Sequence, residues 1–289
     1  MPLHAPRAGR ACRRVLIGAL FYAAMNGALA VKANVFEQTL DLIANGLDFL
    51  LPDEFAFKEV RAQVGLGLGL APDYLGSDTY EPRLVPLLDI TYKDQVRILG
   101  PEAFVTFIST SNVRAGALVR YRFRRQESQN PALAGLGDVD GGFEVGGFAE
   151  GRIKSLLLRA RLAQDISGGH KGMSLGLSAD HGIFLSPSER WGLAAGLKAN
   201  WASGDYMNAF FGIDGEQSLR SGLTPYSASA GFRDVAGRVV GRYSLNDHWR
   251  LYSLIQVGRL LGEAKASPLV KERGSATQVI IGAGLLYRF

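Results

Sequence analysis

The sequence predicts an all-β fold, a transmembrane antiparallel β-barrel of about twelve strands preceded by a short N-terminal amphipathic helix. Three observations predict it. Segments of about ten residues alternate strictly between apolar and polar or small side chains, with arginines concentrated on the polar side. The connections between them alternate between short and long, as in barrels with tight turns on one side of the membrane and larger loops on the other. No apolar run beyond residue 30 reaches the roughly 20 residues that a spanning helix needs.

The chain opens with Arg7, Arg10, Arg13 and Arg14, followed by VLIGALFYAAMNGALA, which closes on Ala28-Leu29-Ala30. A basic segment, a short apolar core and a small-x-small site read as a secretory signal over residues 1–30. Asn26 and Gly27 interrupt the run, which argues against an anchor. The one cysteine, Cys12, lies inside this segment, so the mature chain is expected to have no disulfide or thiolate metal site. Without the signal, Lys+Arg falls from 32 to 28 against 27 Asp+Glu, and no charge excess suited to nucleic acid remains.

Residues 31–60 contain NVFEQTLDLIANGLDFLLPDEF, where Phe36, Leu40, Ile43, Leu47 and Leu51 recur at helical spacing. Glu37, Asp41, Asn45 and Asp48 lie largely on the other side, and Pro52 stops the pattern. An apolar stripe of this kind needs a partner, so the helix is expected to plug the barrel, dock a periplasmic protein or lie on the membrane surface.

The barrel is expected over residues 61–289. AQVGLGLGL and PRLVPLLDITY begin it, and the region 95–110 divides into two strands at the turn-like Gly100-Pro101-Glu102. In NVRAGALVRYRF, Val113, Ala115, Ala117, Val119, Tyr121 and Phe123 oppose Arg114, Arg120 and Arg122, with Arg124 just beyond. Four arginines inside a soluble sandwich would carry a large desolvation cost, whereas a wet lumen accepts them. SLLLRARLAQD sets Leu156, Leu158, Ala160 and Leu162 against Arg159, Arg161 and Asp165. MSLGLSADHGIFL, WGLAAGLKANW and VAGRVVGRY repeat the pattern, the last placing Arg238 and Arg242 inside. Short turns are expected near 110–112, 151–154, 186–190 and 245–248, and longer loops near 125–138, 166–172, 202–225 and 262–274. Trp191, Trp249, Tyr121, Tyr243 and Tyr287 sit near strand ends, where a girdle would place them. The last strand runs to Phe289, with Tyr287, Leu285, Ala283, Ile281 and Val279 on its outer face.

Of the histidines, His170 and Asp165 could belong to a hydrolytic site, but a solvated loop histidine is the simpler reading, and no catalysis is expected. Asp138 and Asp140 are too few carboxylates for a calcium ion and read as turn chemistry. No metal or cofactor is expected. The lumenal arginines either pass small anions or pair with Glu144, Glu150, Asp165 and Asp180 into a packed polar core, and the second reading is preferred.

The segments APDYLGSD (with Pro72, Tyr74, Gly76 and Asp78), GLGDVD (Asp138 and Asp140), SGGHKG (His170), WASGDYMNAFFGI (Tyr206 and Met207), SGLTPY, DHW and terminal GAGLLYRF occur in this order. As an ordered set they resemble the MipA/OmpV family of outer-membrane proteins. The resemblance implies an outer-membrane β-barrel in contact with lipid. It implies a scaffold that joins a murein lytic transglycosylase to a murein synthase of the penicillin-binding protein class. It also implies that Phe289, Tyr287 and Leu285 form the signal read by the barrel assembly machinery. In that family the first strand follows the signal more closely, so the stretch 34–52 is an insertion here.

Overall fold

The computed structural model describes residues 60–289; the expected signal and amphipathic helix lie outside the described residues. Twelve strands form one closed antiparallel barrel. They are β1 (Val60–Pro72), β2 (Tyr80–Tyr92), β3 (Val96–Leu99), β4 (Glu102–Ser109), β5 (Val113–Arg122) and β6 (Gly142–Ile153). The second half comprises β7 (Leu156–Asp165), β8 (Met173–Leu185), β9 (Trp191–Ala202), β10 (Gly231–Ser244), β11 (Trp249–Leu260) and β12 (Thr277–Arg288). Every strand pairs with its sequence neighbours, and β12 closes on β1 through register pairs from Gln63↔Arg288 to Leu70↔Ile281. Closure gives every strand a partner on each side, the arrangement by which a sheet sits in lipid, with only part of the β2 edge beside the short β3–β4 hairpin unpaired among the described residues.

Alternation decides which residues face out. Leu66, Leu68, Leu70, Leu158, Leu177, Leu197, Val239, Ile255 and Ile281 are exposed on the outside of the barrel. Between them point Arg120, Arg159, Arg161, Arg238 and Arg242, all buried inside. Aromatic contacts ring the short-turn end: Trp191 lies 4.4 Å from Tyr243, Trp249 lies 5.0 Å from Tyr287, and Tyr287 lies 5.0 Å from Phe289. Rings of this kind suit the level of the lipid headgroups.

Gly100-Pro101 breaks the 95–110 region into β3 and β4, as the sequence suggests. The resulting hairpin is short. β3 pairs with β2 only from Asp89↔Leu99 to Tyr92↔Val96, while β2 pairs with β1 along its whole length. On the β3 side Leu88 accepts from the Gly100 N–H. Pro82 and Pro86 share the parity of Leu88, so their missing N–H groups fall on the part of that edge where, among the described residues, no strand pairs. A proline is tolerated in a sheet at just such a position.

Two boundaries differ from expectation. β6 continues to Ile153, leaving a tighter turn at Lys154-Ser155, with Lys154 at φ 55°. The stretches expected as loops at 202–225 and 262–274 contain helices: α1 (Gly204–Phe211), α2 (Gly215–Ser221), α3 (Gly262–Ala266) and α4 (Pro268–Arg273).

Candidate functional site: the capped polar lumen

The inward side chains of β4 to β10 build an ion-pair network. Glu144, completely buried on β6, is held by Arg120 and Arg122 of β5. Register explains this contact, because Arg120 and Glu144 lie directly opposite each other. Arg161 reaches Glu102 at 2.7 Å and stacks 4.8 Å above the Phe104 ring. Asp180 receives Arg159 at 3.0 Å and Arg238 at 2.6 Å. Glu150 receives Arg114 at 2.8 Å. Taking such charges from water is costly unless each is paired and hydrogen-bonded, and these pairs meet that condition. A small apolar cluster, Leu99, Phe104, Leu118, Phe148 and Ala163, packs among them. Gly146 lets β6 and β7 approach here, since a Cβ would stand 1.8 Å from the Leu162 carbonyl oxygen.

Asp165 departs from expectation. It pairs with no arginine in the network but accepts the backbone N–H groups of Ser167, His170 and Lys171 at 2.7–2.9 Å. It thereby folds the 166–172 loop at the end of β7.

His170, expected in solvent, is 5% exposed. Its Nε2 lies 2.8 Å from Glu144 Oε1, and its Nδ1 accepts from the Gly172 N–H at 3.1 Å. The second contact fixes the tautomer: the ring proton sits on Nε2 and is donated to Glu144. With both nitrogens engaged, the ring offers no free base. His181 is an outward strand residue near Ser155, and His248 stacks on Tyr287 at the short turns.

Above the network the long connections pack into a cap. Tyr206, Met207, Phe210 and Phe211 of α1 are buried against Leu75, Val139, Ala202, Ala228, Leu260, Ala264 and Val270. A neighbouring cluster joins Tyr74, Leu133, Leu136, Ile213, Leu223 and Leu269. The two clusters draw residues from the β1–β2, β5–β6, β9–β10 and β11–β12 connections. The β7–β8 loop joins through His170, whose ring lies 4.8 Å from Tyr206. Tyr206 also sits 5.1 Å above Arg122 and 5.3 Å above Arg233, so the cap rests on the lumenal cations.

Polar bonds pin the cap where apolar packing leaves backbone groups buried. Arg125 donates to the Phe210 carbonyl at 2.9 Å, Ser267 to the Phe211 carbonyl at 2.7 Å, and Asn130 to Asp73 at 2.7 Å. Burial lowers Arg125 to about 10. Tyr74 donates to the Arg273 carbonyl at 3.1 Å, and burial followed by the Asp78 carboxylate raises its phenol to about 12. Gly76 holds φ at 101°, and a Cβ there would stand 2.8 Å from Val270.

The motif residues thus separate. Tyr74, Gly76, His170, Tyr206 and Met207 converge in the cap, and Pro72 ends β1 beneath it. Asp78, Asp138 and Asp140 lie on the surface, where Asp138 accepts the Glu127 N–H at 2.7 Å as a turn residue would. Phe289, Tyr287 and Leu285 stand on the outer face at the short-turn end. Sequence reading overlooked Arg250 and Tyr252 of β11, inward residues that the alternation of WRLYSLIQ does display. Among the described residues no group of three or more His, Cys, Asp or Glu side chains could hold a metal ion.

The family model described as MltA-interacting protein MipA matches residues 64–289. No curated protein matches the chain. Among solved structures, the chain is similar to a KdgM porin at 11% identity, covering 78% of this chain and 99% of that one, with a TM-score of 0.40. It is similar to the NanC porin at 12% identity, covering 79% and 100%, with a TM-score of 0.42. An outer membrane channel from Pseudomonas putida F1 gives 12% identity, coverage of 83% and 99%, and a TM-score of 0.36. These three likenesses are too distant to carry an argument. The family match spans nearly the whole barrel, from the first strand to the last residue, and the outer face carries a band of exposed leucine, isoleucine and valine. The chain therefore belongs to the MipA family of outer-membrane β-barrel proteins.

Proposed function

We propose that this barrel is a non-enzymatic outer-membrane scaffold that brings a murein lytic transglycosylase and a murein synthase of the penicillin-binding protein class together. The observation that carries this reading, beside the family match, is the cap. Five connections pack over one mouth of the barrel, and the charges beneath it are spent on one another. A lumen organised in this way is suited to rigidity rather than to flow. We assign residues 1–30 to the signal and residues 31–60 to a linker whose acidic helix offers the docking surface that the short turns lack. Pull-down from native membranes, with and without residues 34–52, tests this. Both murein enzymes should co-purify with the full chain and be lost on deletion; a full chain that retains neither enzyme would overturn the scaffold.

A second reading, a narrow pore for small anionic solutes, is supported by the number of lumenal arginines, Arg238 and Arg242 among them. It requires the cap to open. Anion-dependent swelling of liposomes containing the wild-type barrel would favour it, and its absence would favour the scaffold.

A further inference from the structure

The barrel wall is incomplete on one side. β3 and β4 form a hairpin that turns at Gly100-Pro101, so they fill the space between β2 and β5 only from the short-turn end up to that tip. At the tip the Gly100 N–H donates to the Leu88 carbonyl, and the Tyr121 N–H donates to the Pro101 carbonyl. Beyond it β2 continues from Leu87 to Tyr80, still paired with β1, while among the described residues no strand pairs with its other edge. Two intervening strands set β2 and β5 about 14 Å apart at the tip, three strand spacings. On the β2 side the notch runs about 20 Å from Leu88 to Pro82, at the rise of an extended strand.

The cap bridges the notch at its far end. Asn130, from the β5–β6 connection, donates to Asp73, from the β1–β2 connection, at 2.7 Å, and Tyr74 packs with Leu133 and Leu136. Val85, Leu87, Leu99 and Leu118 are buried on the inner side. The notch is therefore a groove that opens outward, framed by the hairpin tip, β2, β5 and the cap.

Its β2 edge is rich in acceptors. Strand residues offer their N–H and C=O groups to alternate edges, and the bond to the Leu88 carbonyl shows that the even-numbered residues of β2 face the notch. Pro82 and Pro86 have no N–H. The edge thus presents the carbonyls of Pro82, Leu84 and Pro86 with the Leu84 N–H as the one donor among them. Prolines placed this way also keep another strand from adding to the edge.

The surroundings are those of a lipid surface. Leu84 is 46% exposed, both prolines are exposed, and Leu66, Leu68 and Leu70 of β1 continue the outward apolar band beside them. Plain hydrocarbon tails give the three carbonyls no donor, and a bare backbone polar group is costly there. On the β5 rim stand Tyr121 and Phe123, in edge contact at 5.3 Å, followed by exposed Arg124. Amphipathic aromatics such as Tyr121 suit headgroup level.

We propose that this groove binds an anionic amphiphile of the outer leaflet whose acyl chains carry hydroxyl or amide donors. The chains lie along Pro82, Leu84 and Pro86, their donors serve the three carbonyls, and Arg124 meets the anionic head beside Tyr121 and Phe123. The groove lies on the outside of the barrel, so the site stands whether or not the scaffold reading does.

Photocrosslinking tests this on the full-length barrel in phosphatidylcholine vesicles, whose lipid has no hydrogen-bond donor, with lipid A added at rising mole fraction as the donor-bearing, anionic probe. Benzoylphenylalanine is placed at Leu84 or, away from the groove on β8, at Leu177; both side chains face outward. The lipid A adduct at Leu84 should saturate at low mole fraction, while the adduct at Leu177 should rise in proportion. Arg124→Gln should raise the half-saturating fraction at Leu84 several-fold and leave Leu177 unchanged. Should the Leu84 variant fail to assemble, the same label at Pro86 should show the same saturation. Adducts that rise in proportion at both faces, or that saturate equally at both, would overturn the site.

Discussion

His170 Nε2 and Glu144 Oε1 meet at 2.8 Å, joining the β7–β8 loop to a carboxylate inside the barrel wall. The contact couples the cap to the lumen, because the same carboxylate is held by Arg120 and Arg122 while the same ring packs against Tyr206. Glu144→Ala should therefore remove the hub of both. The expected loss is about 3–5 kcal/mol, the usual result of removing one partner of a buried ion pair. Urea unfolding followed by heat-modifiable mobility measures it, and a change within about 0.5 kcal/mol, as for an unimportant surface site, would show that the network does not hold the wall.

Substitutions on opposite faces of one strand should behave differently. Leu158 and Leu177 are 40% and 38% exposed on the outer face, so arginine at either should cost about 2–4 kcal/mol if it sits near the bilayer midplane. Arg159→Ser should be milder, since Arg238 still binds both oxygens of Asp180. Equal tolerance at the two sets, measured by folding into lipid vesicles, would contradict the facing of β7 and β8.

The wall was legible because barrel strands announce themselves twice, through dyad alternation and through what the polar face carries. Arg114, Arg120 and Arg122 could not share a face in a dry core, so their spacing spoke for a lumen. The split at Gly100-Pro101 was legible for a local reason, turn chemistry. The cap was not. GDYMNAFF and PLVKER are helices of eight and six residues, too short to show a period, and stable only because Tyr206, Phe210 and Val270 find partners in other connections. The burial of His170 was hidden for the same reason: its partner lies 26 residues away on another strand.

Tyr74 gives the cap a pH dependence at the alkaline end. Its folded phenol, at about 12, lies above the unfolded value of 10.0, so the contribution is complete below pH 10 and is lost as pH rises through about 12. Near-ultraviolet titration should show late-ionising tyrosines, with Tyr226 beside Glu263 also shifted upward, and Tyr74→Phe should remove one tyrosine from the step near pH 12. Ionisation of every tyrosine in the mutant and the wild type at the same pH would show that Tyr74 is not shielded.

Deleting Phe289, or replacing it with a charged residue, should leave export intact and lower the amount of heat-modifiable barrel in the outer membrane. The residue packs 5.0 Å from Tyr287 on the outer face, where an assembly factor could read both. Normal levels of folded protein in the deletion would remove the assembly role.

The central claim is that the cap and the paired charges make this barrel a closed scaffold. Single-channel recording in planar bilayers tests it most directly. The account predicts no steady conductance from the wild-type barrel at moderate voltage. Stable, anion-selective conductance steps from the wild type, with the cap intact, would contradict it.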